Sequence, residues 1–174
     1  MNLDDITRKL RKTSAEFTAS CSPIEDAVFF FQPADKWSIA QNVKHLIISA
    51  NKTKLVYSLP KILVRLVVGK PNRLSRSYEE IVDKYKLKLE QGGRASSPFI
   101  PKSLPAGTDK TILLNSFSST MEQLANIMEK KWTDPQLDKF IAPHPLLGKI
   151  TLRELGYFSI YHIFHHLEII KKRI

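Results

Sequence analysis

Helix-start signals recur along this chain and restrict its possible folds more than any other sequence feature. Four segments pair Ser or Thr with Glu or Gln three residues later, which is the capping box that satisfies free N–H groups at a helix start. They begin at Ser22, Ser38, Ser77 and Thr151. Apolar residues spaced three and four apart support these starts and mark two further segments. The pattern predicts long helices near 3–20, 38–57, 77–91, 109–131 and 151–173, and a short helix near 22–31.

Strand patterns are scarce. Only 62–68 is rich in β-branched residues, and one isolated strand has no partner for its backbone hydrogen bonds. Two connections carry three prolines each, and the first of them, 94–108, is predicted to be an ordered loop or lid. We therefore expect an all-α fold: a four-helix bundle with an additional short helix and long proline-bearing loops, in a single domain over 1–174.

Composition excludes several protein classes. With 174 residues, 43% of them hydrophobic, the chain can bury a core without disulfide bonds. Cys21 is the only cysteine, which excludes an internal disulfide and a cysteine-rich metal site. No apolar run approaches the roughly 20 residues of a spanning helix, and no secretory signal is visible. We expect a soluble, cytoplasmic protein with no membrane partner.

The chain is basic, with 27 Lys and Arg against 17 acidic residues and a formal charge of +10. Half of this excess lies in 61–94. Nucleic acid, anionic lipid or a small anionic substrate could each complement it. No RNP pattern, zinc finger or basic zipper accompanies the charge. We interpret it as a solvated basic surface, and expect nucleic acid to bind only weakly and without sequence specificity.

Histidines are the residues of this sequence best suited to bind a metal ion, and three of the five lie in the last predicted helix. At about 100° per residue, His162 and His166 fall within about 40° of each other on the face towards the bundle interior, and His165 lies apart. Two imidazoles one turn apart can bind one metal ion. Hydrogen bonds to a buried pair are the alternative, because buried imidazoles need partners.

The other histidines are open to more than one interpretation. His45 lies on a different predicted helix, with Gln41 and Ser49 one turn to either side. It is either exposed on a polar helix face or part of the lining of a polar cavity. We interpret His144, which stands between two prolines, as a loop or rim residue, and His165 as a packing or supporting residue. No Ser-His-Asp pattern, glycine-rich phosphate loop or paired-carboxylate motif is present.

Three segments together resemble the DinB/YfiT-like superfamily of small helical metalloproteins. Residues 37–46 are similar to its W-S-x-x-x-x-x-x-H-L segment, 144–152 to the run leading into its last helix, and 161–167 to its H-x-x-x-H-L signature. The order of elements matches over essentially the whole chain. The resemblance implies a four-helix bundle in which one histidine of the second long helix and two of the last bind a divalent metal. In this sequence they are His45, His162 and His166.

The resemblance also implies an activity. Family members with assigned activity are metal-dependent transferases or isomerases that use low-molecular-weight thiols, and relatives are often described as hydrolases. Three imidazoles leave coordination positions open, as in catalytic sites. They suit zinc or nickel, and also iron or manganese. We expect an S-transferase-like enzyme whose ion activates a low-molecular-weight thiol towards a small-molecule substrate. The alternatives are a metal-dependent hydrolase and a non-catalytic stress-response binding protein. The sequence identifies no catalytic acid or base.

The last helix is apolar on almost every side. Beyond its interior face it carries Ile160, Ile163, Phe164 and Leu167, and a helix of this kind has to be covered all round. Either the short helix near 22–31 together with 62–68 covers it, or a second subunit does. The second case predicts a two-fold homodimer, which light scattering at micromolar concentration distinguishes from a monomer.

Overall fold

A computed structural model describes residues 1–34 and 36–174, which form seven α-helices and one antiparallel hairpin. The elements are α1 (Leu3–Cys21), α2 (Asp26–Phe30), α3 (Ile39–Ser58), α4 (Lys61–Val68), α5 (Tyr78–Glu90), α6 (Lys110–Lys131), β1 (Ile141–His144), β2 (Gly148–Thr151) and α7 (Leu152–Lys171). The bundle consists of the long helices α1, α3, α6 and α7: α3 packs on α6, and α1 packs on both α6 and α7. One apolar core runs through it. The prediction of an all-α four-helix fold is confirmed.

Most helix starts follow the capping signals. Three of the four predicted capping boxes are formed, at Ser38, Ser77 and Thr151. The prediction at Ser22 is wrong, because α1 runs through Cys21 and the N–H of Ser22 bonds to the Thr18 carbonyl at the end of that helix. Helix α2 then begins at Asp26 without a side-chain cap. A residue that completes one helix is not free to cap the next.

The β-branched segment 62–68 lies within helix α4, so its strand-like composition was misleading. Val64 is the buried residue of this helix, and Ile62, Leu66 and Val67 are exposed. Helix α4 packs against β1, and this contact overrides the weak strand preference of its residues.

Among the described residues, no helix combines the length and apolarity needed to cross a bilayer.

The hairpin of β1 and β2 was not predicted, because the prolines of this region indicated a loop. His144 pairs with Gly148 across a three-residue loop. Gly148 has a φ of 75°, the left-handed conformation in which a three-residue hairpin loop commonly ends. The prolines at 143 and 145 are typical of loops, and for that reason the hairpin pattern was not recognised. The hairpin places His144 at the end of β1, beside α7.

The cover over α7 comes from elsewhere than expected. Ile160, Ile163 and Leu167 are buried within the monomer, and the main neighbours of α7 are α1, α5 and α3. Helix α2 packs instead on α3, and α4 on β1. Phe164 alone of this apolar set is exposed, at 46%. The homodimer stays a prediction. Of the apolar residues named above, only Phe164 could contribute to a dimer interface on this helix.

Gly156 marks the close approach of α7 to its neighbours. A Cβ at this position would lie 2.9 Å from Cγ2 of Ile6 and 3.3 Å from Cε of Met128. Gly-to-Ala changes stabilise an open helix by about 1 kcal/mol, but overpacking costs about 1–3 kcal/mol. We expect Gly156→Ala to lower the free energy of unfolding by about 1–2 kcal/mol in urea denaturation. Ser159→Ala on the same helix is the control, and a more stable Gly156→Ala protein would contradict the packing described.

Candidate metal centre

Three buried histidines meet at the wall of a cavity of about 520 Å³. His45 comes from α3, and His162 and His166 come from α7. One ring nitrogen of each lies within 4.8 Å of the others. The alternative of an exposed His45 is wrong, since the residue is only 4% exposed: α6, α7 and the turn at Ser97–Phe99 all pack on α3. We call these three residues the histidine triad.

Hydrogen bonds orient two rings of the triad. Nδ1 of His45 lies 2.7 Å from the carbonyl oxygen of Phe99, and Nδ1 of His166 lies 2.7 Å from Oδ1 of Asn42. The amide nitrogen of Asn42 donates to the Ser38 carbonyl at 2.7 Å, so its oxygen faces His166. Both acceptors are oxygens without hydrogens, so Nδ1 carries the proton in each imidazole and Nε2 presents a lone pair.

The bare nitrogens converge on His162. Its Nε2 lies 3.1 Å from Nε2 of His45 and 3.1 Å from Nε2 of His166. At most one hydrogen, on Nε2 of His162, lies between these three atoms, and it can be donated to only one neighbour at good geometry, so at least one bare nitrogen lacks a donor. Two imidazole nitrogens that share a tetrahedral zinc ion at about 2.0–2.1 Å lie roughly 3.3 Å apart. The donor set therefore fits a divalent ion, and binding of the ion stays a prediction.

The triad is uncharged at neutral pH. Burial lowers the pKa of His162 and His166 well below 6.5, and the other imidazoles lower it further. Burial also lowers the pKa of His45, against the opposing effect of its hydrogen bond to Phe99. Neutral imidazole is the form that ligates metals. The triad is therefore prepared to bind an ion without first releasing protons.

The rest of the cavity is basic and apolar. Phe158, Leu155 and Ile169 form apolar wall beside the triad. The charged residues of the lining are Lys36, Lys52, Arg94 and Arg173. Among the described residues, no Asp or Glu lines it. The described lining therefore places positive charge beside apolar surface.

The proline-bearing loop and His165 line the cavity, whereas Cys21 lies in the core. The first part of the proposed lid, 94–100, forms cavity wall, and the Phe99 carbonyl orients His45. His165 lines the cavity outside the triad and packs edge to face against Tyr85. Cys21 is buried in the core, and burial raises its pKa to about 12. Sequence reasoning missed Phe99 and Asn42, because a backbone carbonyl leaves no motif and Asn42 has no distinguishing pattern.

The fold and the site together define a class: a helical bundle whose buried histidine triad can bind a metal ion. The family model of the DinB superfamily matches residues 9–170. The chain therefore belongs to the DinB superfamily, as the resemblance indicated. No curated protein matches the chain in sequence.

The lowered pKa values of the triad predict a loss of stability in acid. At a pH below the ordinary histidine pKa of 6.5, these histidines bind protons in the unfolded chain but not in the native protein. The free energy of unfolding therefore falls as the pH falls. Each imidazole that stays uncharged contributes a fall of about 1.4 kcal/mol between pH 7.5 and 5.5. Urea denaturation of chelator-treated protein measures this. A flat profile across that range would contradict the burial of neutral rings.

Proposed function

We propose that this protein is a metal-dependent enzyme that transfers a low-molecular-weight thiol to a small electrophile in the cavity beside the triad. The thiol sulfur forms a bond to the electrophilic carbon, the bond from that carbon to its leaving group breaks, and the leaving group takes up the proton that the thiol loses. The observation that carries the proposal is the convergence of Nε2 of His45 and of His166 to 3.1 Å from Nε2 of His162, at the wall of a cavity large enough for substrates. His45, His162 and His166 would hold the divalent ion. Imidazole ligands suit zinc, nickel and iron, and manganese is a further candidate for the ion.

The triad leaves coordination positions open, as catalytic sites do. A bound ion supplies Lewis acidity, which lowers the pKa of a thiol. Phe99 and Asn42 hold two of the rings in the ligating tautomer through their oxygens. The described lining contains no carboxylate to act as a base. This supports a thiol nucleophile, because an ion-activated thiol needs no separate base.

The remaining lining suits the two reactants. Lys52 and Arg94 are exposed residues of the cavity lining, and they would attract the carboxylates that small thiols commonly carry. Phe158 and Leu155 offer apolar contact to the electrophile. Segment 94–100 covers one side of the cavity, and so shields the reacting groups from water.

Two measurements test this proposal. Elemental analysis of protein purified without an affinity tag should find about one divalent ion per chain. Cobalt-substituted protein should then change its visible absorption when cysteine, glutathione or coenzyme A is added, because a thiol enters the ion's coordination. A bound ion with no thiol response but with ester hydrolysis would favour the hydrolase, and no ion at all would favour the non-catalytic binding protein.

A further inference from the structure

His144 is held in one defined tautomer by the turn that follows it. The N–H groups of Leu146 and Leu147 donate to its Nδ1 at 3.2 and 3.1 Å. A nitrogen that accepts two hydrogen bonds carries no hydrogen, so the proton of the neutral ring is on Nε2. The hairpin thus makes His144 a hydrogen-bond donor at the far side of its ring.

The Nε2–H of His144 is available to a ligand. His144 lines the same cavity as the triad, and its ring packs edge to face against Phe158 with centroids 4.2 Å apart. The hydrogen bonds that the described residues make to the His144 ring both go to Nδ1, and Nε2 is not among the buried side-chain atoms that lack a partner, so it keeps contact with solvent. The turn and helix α7 thus fix the orientation of the His144 ring, and its Nε2–H remains available for a hydrogen bond.

His144 differs from the triad because its Nε2 carries a hydrogen. The triad presents bare nitrogens, and His144 is not among the residues whose nitrogens converge there. Burial, followed by the charge of Lys84, lowers its pKa to about 4. The ring therefore keeps its Nε2 hydrogen, and stays uncharged, throughout the neutral range.

The electrostatic surroundings decide what this donor binds. Lys84 donates to the Leu147 carbonyl at 3.0 Å, and so places a positive charge on the turn that holds His144. The described lining of the cavity has no carboxylate and includes Lys52 and Arg94. A fixed N–H in positive surroundings stabilises a negatively charged oxygen more than a neutral one.

We propose that the Nε2–H of His144 donates a hydrogen bond to an oxyanion of the bound substrate, so that this cavity selects small molecules carrying a carboxylate or phosphate beside an apolar body. This inference rests on the proposed function, because it names a group on the substrate of the same site. His144 is thereby a substrate-binding residue, and the hairpin exists in part to aim it.

Two substitutions separate the two nitrogens of His144. His144→Asn keeps an acceptor near the Nδ1 position and loses the donor that reaches the cavity. His144→Gln keeps a donor near the Nε2 position and loses the acceptor for the turn. If His144 only holds the turn, His144→Gln should lower both the stability and the anion affinity more than His144→Asn does. If His144 also binds the ligand, His144→Asn should lower the anion affinity more.

The probes are benzoate, phenyl phosphate and the neutral benzyl alcohol, titrated by calorimetry into the full-length protein as purified. We expect His144→Asn to weaken binding of whichever anion binds wild type by about tenfold. His144→Gln should stay within about threefold of wild type and have the lower Tm. Benzyl alcohol should bind both variants and wild type alike. Comparing benzoate with phenyl phosphate distinguishes carboxylate from phosphate as the preferred group.

Nitrogen NMR of wild-type protein supplies a readout independent of affinity. The His144 ring should show the Nε2–H tautomer, and its Nε2–H resonance should move on addition of the bound anion. An Nδ1–H tautomer, undiminished anion binding in His144→Asn, or equal binding of benzoate and benzyl alcohol would overturn the inference. Ion content measured on wild type and on both variants separates this outcome from the proposed function: weaker anion binding in His144→Asn, in protein that holds no ion, contradicts only the proposed function.

Discussion

His162→Leu should weaken divalent-ion binding by about 100-fold or more and leave the ion-free protein at least as stable as wild type. Nε2 of His162 lies 3.1 Å from that of both other ligands, so its removal leaves two ligands without their shared neighbour. Four-ligand zinc sites bind with about 10–16 kcal/mol, or roughly 3 kcal/mol for each ligand. Losing one ligand then weakens binding by about 100-fold or more.

The stability part of this prediction follows from burial. His162 is only 6% exposed, and burying an imidazole beside other unpaired nitrogens costs free energy. Leucine has a similar volume and no polar atom, so it removes that cost. Such a gain is expected where residues serve binding rather than folding. Urea denaturation in the presence of a chelator measures it, and ion content by elemental mass spectrometry measures the loss of binding.

His165→Leu is the matched control for His162→Leu. It lies on the same helix and lines the same cavity, but it stands outside the triad. We expect its ion content to equal that of wild type. Full ion content in the His162→Leu protein would show that the triad is not the site, and equal loss in both variants would show that the effect is not specific to ligation.

Glu154→Ala should be the most destabilising single change considered for this fold. The carboxylate is fully buried and accepts hydrogen bonds from the Arg73 guanidinium at 2.6 and 2.8 Å, from the Arg76 N–H at 2.7 Å and from the Thr151 N–H at 2.9 Å. Burial alone would raise the pKa of Glu154, but these donors outweigh it and hold the pKa below its ordinary value. Removing one partner of a buried ion pair costs about 3–5 kcal/mol.

Glu80→Ala provides a control of the same chemical type. Glu80 also completes a capping box, with Ser77, but on the solvent-exposed start of α5. We expect the Glu80 variant to lose about 1 kcal/mol and the Glu154 variant about 3 kcal/mol or more in urea denaturation. Equal losses would mean that burial and the two arginines add nothing beyond the helix cap.

The long helices could be predicted because their signals are local. A capping side chain and an apolar stripe act over three or four residues, and the helix predicted at 77–91 is observed at Tyr78–Glu90. The hairpin was missed because its strands have four residues each, too few for a clear alternation. Helix α4 was not recognised because its contact with β1, rather than its own composition, determines its conformation.

The candidate site divides in the same way. His162 and His166 are one turn apart on one helix, so their shared face could be predicted from spacing alone. His45 lies 117 positions before His162, and the sequence joined it to the pair only through a family resemblance. The Phe99 carbonyl that orients His45 belongs to a loop whose position no local rule determines.

By itself the sequence determined the all-α class, most helix starts and the histidine pair of α7, since these depend on interactions between residues three or four apart. Only the tertiary structure decided that His45 is buried, which ring nitrogens are bare, and that His144 lines the cavity with its Nδ1 occupied by the hairpin turn. These properties depend on contacts between distant segments, such as His166 with Asn42. Their free energies arise when the helices pack together and exclude water from the groups between them.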